Sequence, residues 1–148
     1  MAPQGSETTG VHVWLVLWKA QRAVDVHARR SIAESGMCGS DFGVLEALLH
    51  KGPMPVNVIG AKVLLTSGSI TTAVDRLERR GLVERKSDPN DRRARIVHLT
   101  EAGHELIVRL FEKHERDMER AVSGLTPAER GFLVDLLRRL GRGAEGLR

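Results

Sequence analysis

At 148 residues the chain has the length of one domain, and its 41% hydrophobic, 28% charged composition suits a globular protein with a core. Three Phe, two Trp and no Tyr leave the interior to aliphatic side chains, while a single cysteine, Cys38, excludes a disulfide framework and points to a reducing cytosol. The formal charge is +4, and all of that excess falls between Arg76 and Arg95, where eight basic residues face four acidic ones. Such a basic stripe on a neutral body is the footprint of a phosphate-binding face; on charge alone, a solvated helix face reads equally well. The first ten residues carry no basic n-region of a signal peptide, and the apolar run Val11 to Trp18 is too short to span a bilayer. A cytoplasmic protein with no membrane partner is expected.

From Val11 to about Ser35 the chain reads as one long helix, apolar nearly all round at its start (Val11, Val13, Trp14, Leu15, Val16, Leu17, Trp18). A helix greasy on every side must be covered on every side, and in so small a protein a partner chain is the simplest cover. Ser40 or Asp41 can cap a second helix, Phe42 to His50, which Lys51-Gly52-Pro53 ends. A short helix follows from Val56 to Val63, with Val56, Ile59, Val63 and Leu64 inward. After the hydroxyl-rich turn Leu65-Thr66-Ser67-Gly68, a helix from Ser67 to about Arg80 places Ile70, Val74 and Leu77 on its core face until Gly81 stops it.

The period then turns from helical to alternating. Leu82–Lys86 and Ala94–Leu99 read as short strands, and Ser87-Asp88-Pro89-Asn90-Asp91-Arg92-Arg93 between them has hairpin chemistry. Thr100 caps a long helix to about Val122, with Leu106, Ile107, Leu110, Phe111 and Met118 on one side. Thr126-Pro127-Ala128-Glu129 starts a last helix, to about Leu140, carrying Phe132, Leu133, Leu136, Leu137 and Leu140. The tail after Gly141 is expected to be loose. The fold class is mainly α with a small two- to three-stranded β wing: a winged helix-turn-helix lobe at 41–100, flanked by dimerisation helices at 11–35 and 101–141. All 148 residues form one domain on this reading, and a homodimer through both ends of the chain is the simplest way to bury the flanking stripes.

The helix at Ser67 turns Ser69, Thr71, Thr72, Asp75, Arg76 and Arg79 away from its core face. Small hydroxyls in the first turns let a helix N-terminus approach duplex DNA closely, where base edges or phosphates meet them; one of Thr66 and Ser67 also serves as a plain N-cap. In the hairpin, Asp88 and Asp91 stand beside Arg92, Arg93 and Arg95. A carboxylate that binds a neighbouring guanidinium can hold it extended at the tip, poised for a minor groove. No catalytic constellation accompanies these features. The six His residues have no metal-ligand spacing, and neither a Gly-rich phosphate loop, a nucleophile elbow nor a Cys pair is present, so no enzyme activity, metal or cofactor is expected.

Gly68-Ser-Ile-Thr-Thr-Ala-Val-Asp-Arg-Leu-Glu-Arg-Arg-Gly-Leu-Val-Glu-Arg85, the wing Asp88-Pro-Asn-Asp-Arg-Arg93 and Val97-His-Leu-Thr-Glu-Ala-Gly103 together resemble the MarR family of transcription regulators, and the likeness runs in element order from about Val11 to Leu140. The resemblance implies a homodimer joined by the first and last two helices, recognition of a pseudo-palindromic operator in double-stranded DNA, and repression of nearby genes relieved by a small aromatic or phenolic effector or an oxidant. It places Ser67, Ser69, Thr71 and Thr72 against bases or phosphates, with Thr66 and Arg93 beside them, Arg76 on the backbone, Asp91 orienting the wing and Arg92 in the minor groove. Trp14, Trp18, Phe42 and Phe111 become candidate walls of an effector pocket, although for each plain core packing is the simpler reading. Leu64–Thr71 with Lys51–Pro53 is similar to the quinone- and catechol-responsive branch. The alternative is a winged-helix protein–protein module without specific DNA binding, which would not need the wing arginines or the polar helix face. Cys38 has no basic residue within five positions in sequence, so nothing there stabilises a thiolate.

Overall fold

The computed structural model describes residues 8–63 and 67–148. Helix α1 (Gly10–Glu34) is capped by Thr9, whose hydroxyl accepts from the His12 amide, and leads through a glycine turn into α2 (Gly39–Lys51). A two-residue strand β1 (Met54–Pro55) precedes α3 (Val56–Val63) and α4 (Ser67–Arg79). Gly81, at φ 73°, turns the chain into the hairpin of β2 (Val83–Asp88) and β3 (Asp91–Leu99). Helices α5 (Glu101–Ala121) and α6 (Pro127–Glu145) complete the chain.

The three strands form one antiparallel sheet in the order β1-β3-β2. Val83 faces Leu99 and Arg85 faces Val97, while β1 pairs Met54 with Val97 on the other edge. The third strand was not among the elements expected individually, because two residues are too few to show alternation. The core lies under this sheet: Val44, Leu45 and Leu48 of α2, Ile59 of α3, Ile70, Val74 and Leu77 of α4, Val83 and Val97 of the sheet, and Ile107 of α5. Aliphatic side chains dominate it, as the scarcity of aromatics requires.

The long helices behave differently. The C-terminal half of α1 packs on α5, where Lys113 binds both Glu34 and Asp117 and His114 sits 3.1 Å from the buried Ser31 hydroxyl. The N-terminal half of α1 covers nothing: Trp14 is 61% and Trp18 47% exposed, the latter under the Arg22 guanidinium. Helix α6 buries none of its residues, and Phe132 is 72% exposed. The expected loose tail is instead helical to Glu145, although Gly141 and Gly143 each cost about 1 kcal/mol relative to alanine. Among the described residues, no helix is long and apolar enough to cross a membrane.

Candidate nucleic-acid interface

Helix α4 separates its faces cleanly. Ile70, Ala73, Val74 and Leu77 are buried, whereas Gly68, Ser69, Thr71, Thr72, Asp75 and Arg79 are exposed along the opposite side. The Thr72 hydroxyl donates back to the Gly68 carbonyl at 2.9 Å, which fixes its rotamer. Ser67 opens the helix; Thr66 lies outside the described residues, as does the side chain of Ser67.

Arg76 is not extended into solvent. Its Nη2 donates to Asp41 Oδ1 at 2.7 Å and its Nε to Asp41 Oδ2 at 3.3 Å, a forked pair reaching from α4 to the first turn of α2. Asp41 is buried, at 4% exposure. The same Nη2 lies 3.4 Å from Ser40 Oγ and 3.7 Å from Cys38 Sγ, so the thiol has a basic neighbour from a distant part of the chain. Hydrogen bonding to Asp41, then its charge, makes this guanidinium hold its proton more firmly than usual. A concavity of about 470 Å³ opens beside the pair, lined by Ser40, Gly68, Ser69, Thr72 and Arg76.

A second arginine ties the helix to the wing. From β2, Arg85 donates Nη2 to Asp75 and Nη1 to Glu78 at 3.0 Å, and its backbone amide donates to Glu78 at 3.2 Å. Its side chain is only 19% exposed. The basic stripe is thereby divided: Arg76 and Arg85 are internal ties and Lys86 pairs with Glu84, leaving Arg79, Arg80, Arg92, Arg93 and Arg95 without an ion pair to any described residue.

At the wing tip the carboxylates bind backbone, not guanidinium. Asp88 Oδ1 accepts from the Asn90 amide at 2.8 Å and Asp91 Oδ1 from the Arg93 amide at 3.0 Å. These are Asx-type turns, which shape the chain around Pro89 and leave Arg92 and Arg93 exposed. Asp91 thus fixes the wing through its main chain, a different device from the side-chain brace expected. At the wing base, the Thr100 amide donates to Leu82 O and its hydroxyl to Gly81 O, while the Gly103 amide donates to Thr100 Oγ1. A Cβ at Gly103 would stand 1.9 Å from the Leu82 carbonyl oxygen, so only glycine fits.

The four aromatics proposed as pocket walls do not meet within a protomer. Phe42 and Phe111 pack around His114 at the joint of α2 and α5, whereas Trp14 and Trp18 stand on the uncovered half of α1. A different cavity, of about 590 Å³, lies between α1, α2 and α3, lined by the apolar Ile32, Met37 and Val63, by Cys38 and by the ion-paired Asp25 and Arg29. Among the described residues no cluster of metal-ligating side chains occurs. The sequence places Asp75 on the outer face of the helix and Asp41 at a possible cap, but not the ties that Asp41, Asp75, Glu78 and Arg85 make; the signal for the Arg85 tie was the i,i+3 spacing of two acids on an otherwise basic helix.

A family model described as the MarR family matches residues 35–94. The chain is 38% identical over 133 residues to the HTH-type transcriptional regulator MhqR of Bacillus subtilis, covering 90% of this chain and 92% of that one. Its fold is similar to that of Sco3205, a MarR family transcriptional regulator from Streptomyces coelicolor solved in complex with DNA (TM-score 0.78, 26% identity, 95% of this chain and 91% of that one). It is also similar to Bordetella bronchiseptica BpsR, whose DNA binding is regulated by 6-hydroxynicotinic acid (TM-score 0.73, 28% identity, 95% and 98% covered). With a winged helix-turn-helix lobe of this geometry and a relative matched along nearly its whole length, the chain belongs to the MarR family of transcriptional regulators.

Proposed function

We propose that this protein is a cytoplasmic homodimer that binds a pseudo-palindromic operator and represses nearby genes until a small aromatic acid, phenol or quinone releases it. The observation that carries the DNA-binding part is the pairing of α4 with the wing: exposed hydroxyls at the helix start, and exposed wing arginines with no ion pair to any described residue. Ser67, Ser69, Thr71 and Thr72 are assigned to the major groove, Arg92 to the minor groove, and Arg93 to adjacent phosphate. A protein–protein module would have no use for cations so presented. The uncovered apolar faces of α1 and α6 support dimerisation, since exposed patches of that size on a soluble protein mark an interface. The one-domain organisation, with its lobe at 41–100 between dimerisation segments 11–35 and 101–141, follows the same division, and no reaction is assigned to it.

For the effector, the cavity between α1, α2 and α3 is the favoured seat, because it lies where the dimerisation helix meets the lobe and combines apolar walls with the Arg29–Asp25 ion pair, both members of which line it. Apolar walls with a few polar groups suit a small aromatic compound. The likeness of Lys51–Pro53 and Leu64–Thr71 to the quinone- and catechol-responsive branch narrows the first compounds to try. The test is a fluorescence-anisotropy titration against the DNA upstream of the protein's own gene and a scrambled duplex, at two salt concentrations, with and without a panel of quinones, catechols and hydroxybenzoates. Tight, salt-sensitive binding that prefers the upstream DNA and is relieved by one of the panel is expected. Equal, weak binding to both duplexes would overturn the operator reading.

A further inference from the structure

We infer that Asp41 is a positioning residue for DNA recognition, holding the Arg76 guanidinium at the mouth of the concavity between α2 and α4 so that it meets one backbone phosphate in a fixed pose. The inference rests on the DNA-binding reading above and assigns a role to an acid that charge reasoning would count against it. A carboxylate on a DNA-facing surface repels the duplex, and its removal alone would strengthen binding to any sequence. Here the carboxylate is buried and spent on a single cation. Both of its oxygens engage Arg76, at 2.7 and 3.3 Å, and Ser40 Oγ stands 3.4 Å from the same Nη2.

The fork geometry determines what is left over. Guanidinium has five N–H groups in one plane. The Nε proton and one Nη2 proton go to Asp41, and the second Nη2 proton is directed at the hydroxyl and thiol of the α2 first turn. The two Nη1 protons have no acceptor among the described residues, and Arg76 keeps 40% of its side chain exposed. They border the concavity that Ser69 and Thr72 also line. An arginine pinned on one edge presents its other edge without the rotamer entropy that a free side chain would lose on binding. Because the pin joins α2 to α4, it also sets how deeply the helix start can approach the groove.

The test measures preference, not just affinity. A duplex enriched by the wild-type protein from a randomised pool, and a scrambled version of it, are titrated against wild type, Asp41→Asn, Asp41→Glu, Arg76→Lys and the double variant Asp41→Asn/Arg76→Lys, at a temperature where circular dichroism shows each folded. Asp41→Asn should bind the scrambled duplex as well as or better than wild type, yet lose about tenfold in preference for the selected one, the effect of one well-placed charge-assisted hydrogen bond. Asp41→Glu should restore most of that preference. Arg76→Lys keeps the charge but not the fork, so it should show the same loss, and the double variant should be no worse than either single one. Unchanged preference in Asp41→Asn or in Arg76→Lys, or penalties that add in the double variant, would overturn the positioning role. A wild-type protein that enriches no duplex from the pool would instead overturn the regulator reading itself.

Discussion

Replacing Gly103 with Ala should destabilise this protein although alanine is the better helix former. The new Cβ would lie 1.9 Å from the Leu82 carbonyl oxygen and 2.8 Å from its carbon. Carbon–oxygen contacts settle near about 3.3 Å, so α5 must withdraw from the wing base by roughly 1.4 Å, and the obstacle is backbone that no rotamer change can move. Withdrawal breaks the Thr100 amide bond to Leu82 O (3.1 Å) and strains the Thr100 hydroxyl bond to Gly81 O (2.6 Å). Overpacking costs about 1–3 kcal/mol and the two hydrogen bonds about 1 kcal/mol each, against a propensity gain of about 1 kcal/mol. The net loss is about 2–4 kcal/mol, which urea denaturation at fixed protein concentration should report as a midpoint lower by about 1–2 M. Gly131→Ala is the matched control. Its Cβ meets nothing within 4 Å, on the polar side of α6, and it should raise stability by up to about 1 kcal/mol. A Gly103→Ala midpoint equal to wild type would refute the close-approach argument.

Three more outcomes are expected. Arg92→Ala should weaken operator binding by about 1–3 kcal/mol and flatten its salt dependence by roughly one unit of slope per protomer; an unaltered titration would remove the wing from the interface. Leu136→Asp places a charge on the uncovered face of α6, so sedimentation should show monomers with intact helical content, and a surviving dimer would put the interface elsewhere. His114 is packed against Phe42 and Ser31, and burial holds its imidazole below the ordinary value of 6.5. The folded state therefore resists the proton that the unfolded state accepts, so stability should be full above pH 6.5 and decline as pH falls through and below it. His114→Gln should flatten that acid-side decline, and an identical pH profile in the variant would show that another group governs it.

The helices were legible because their punctuation was. Thr100 and Thr126 cap α5 and α6 through the bonds their sequence context implies, Thr126 with Glu129 as a reciprocal capping box. The hairpin was legible from Asp-Pro-Asn-Asp, although its carboxylates bind turn amides and not the neighbouring guanidinium groups. What stayed hidden depends on contacts distant in sequence. Asp41 and Arg76 are 35 positions apart, and neither residue announces the other. Arg85 reads as one more exposed cation until the hairpin folds it against α4. Gly103 looks like an ordinary helical glycine with a poor propensity, and only the carbonyl above it explains the choice.

The Arg85 tie has a mechanical consequence. With Asp75 and Glu78 gripping it from two successive turns of α4, and its own amide fastened to Glu78, α4 and the wing form one caliper of fixed jaw spacing. A caliper does not adapt to what it measures. On the groove assignment proposed above, a duplex whose major and minor grooves lie at that spacing is gripped without deformation, and any other must bend or change groove width to fit, a cost that depends on how pliant its base steps are. Positions that no side chain touches would then shape the choice of operator through the stiffness of the DNA between the jaws.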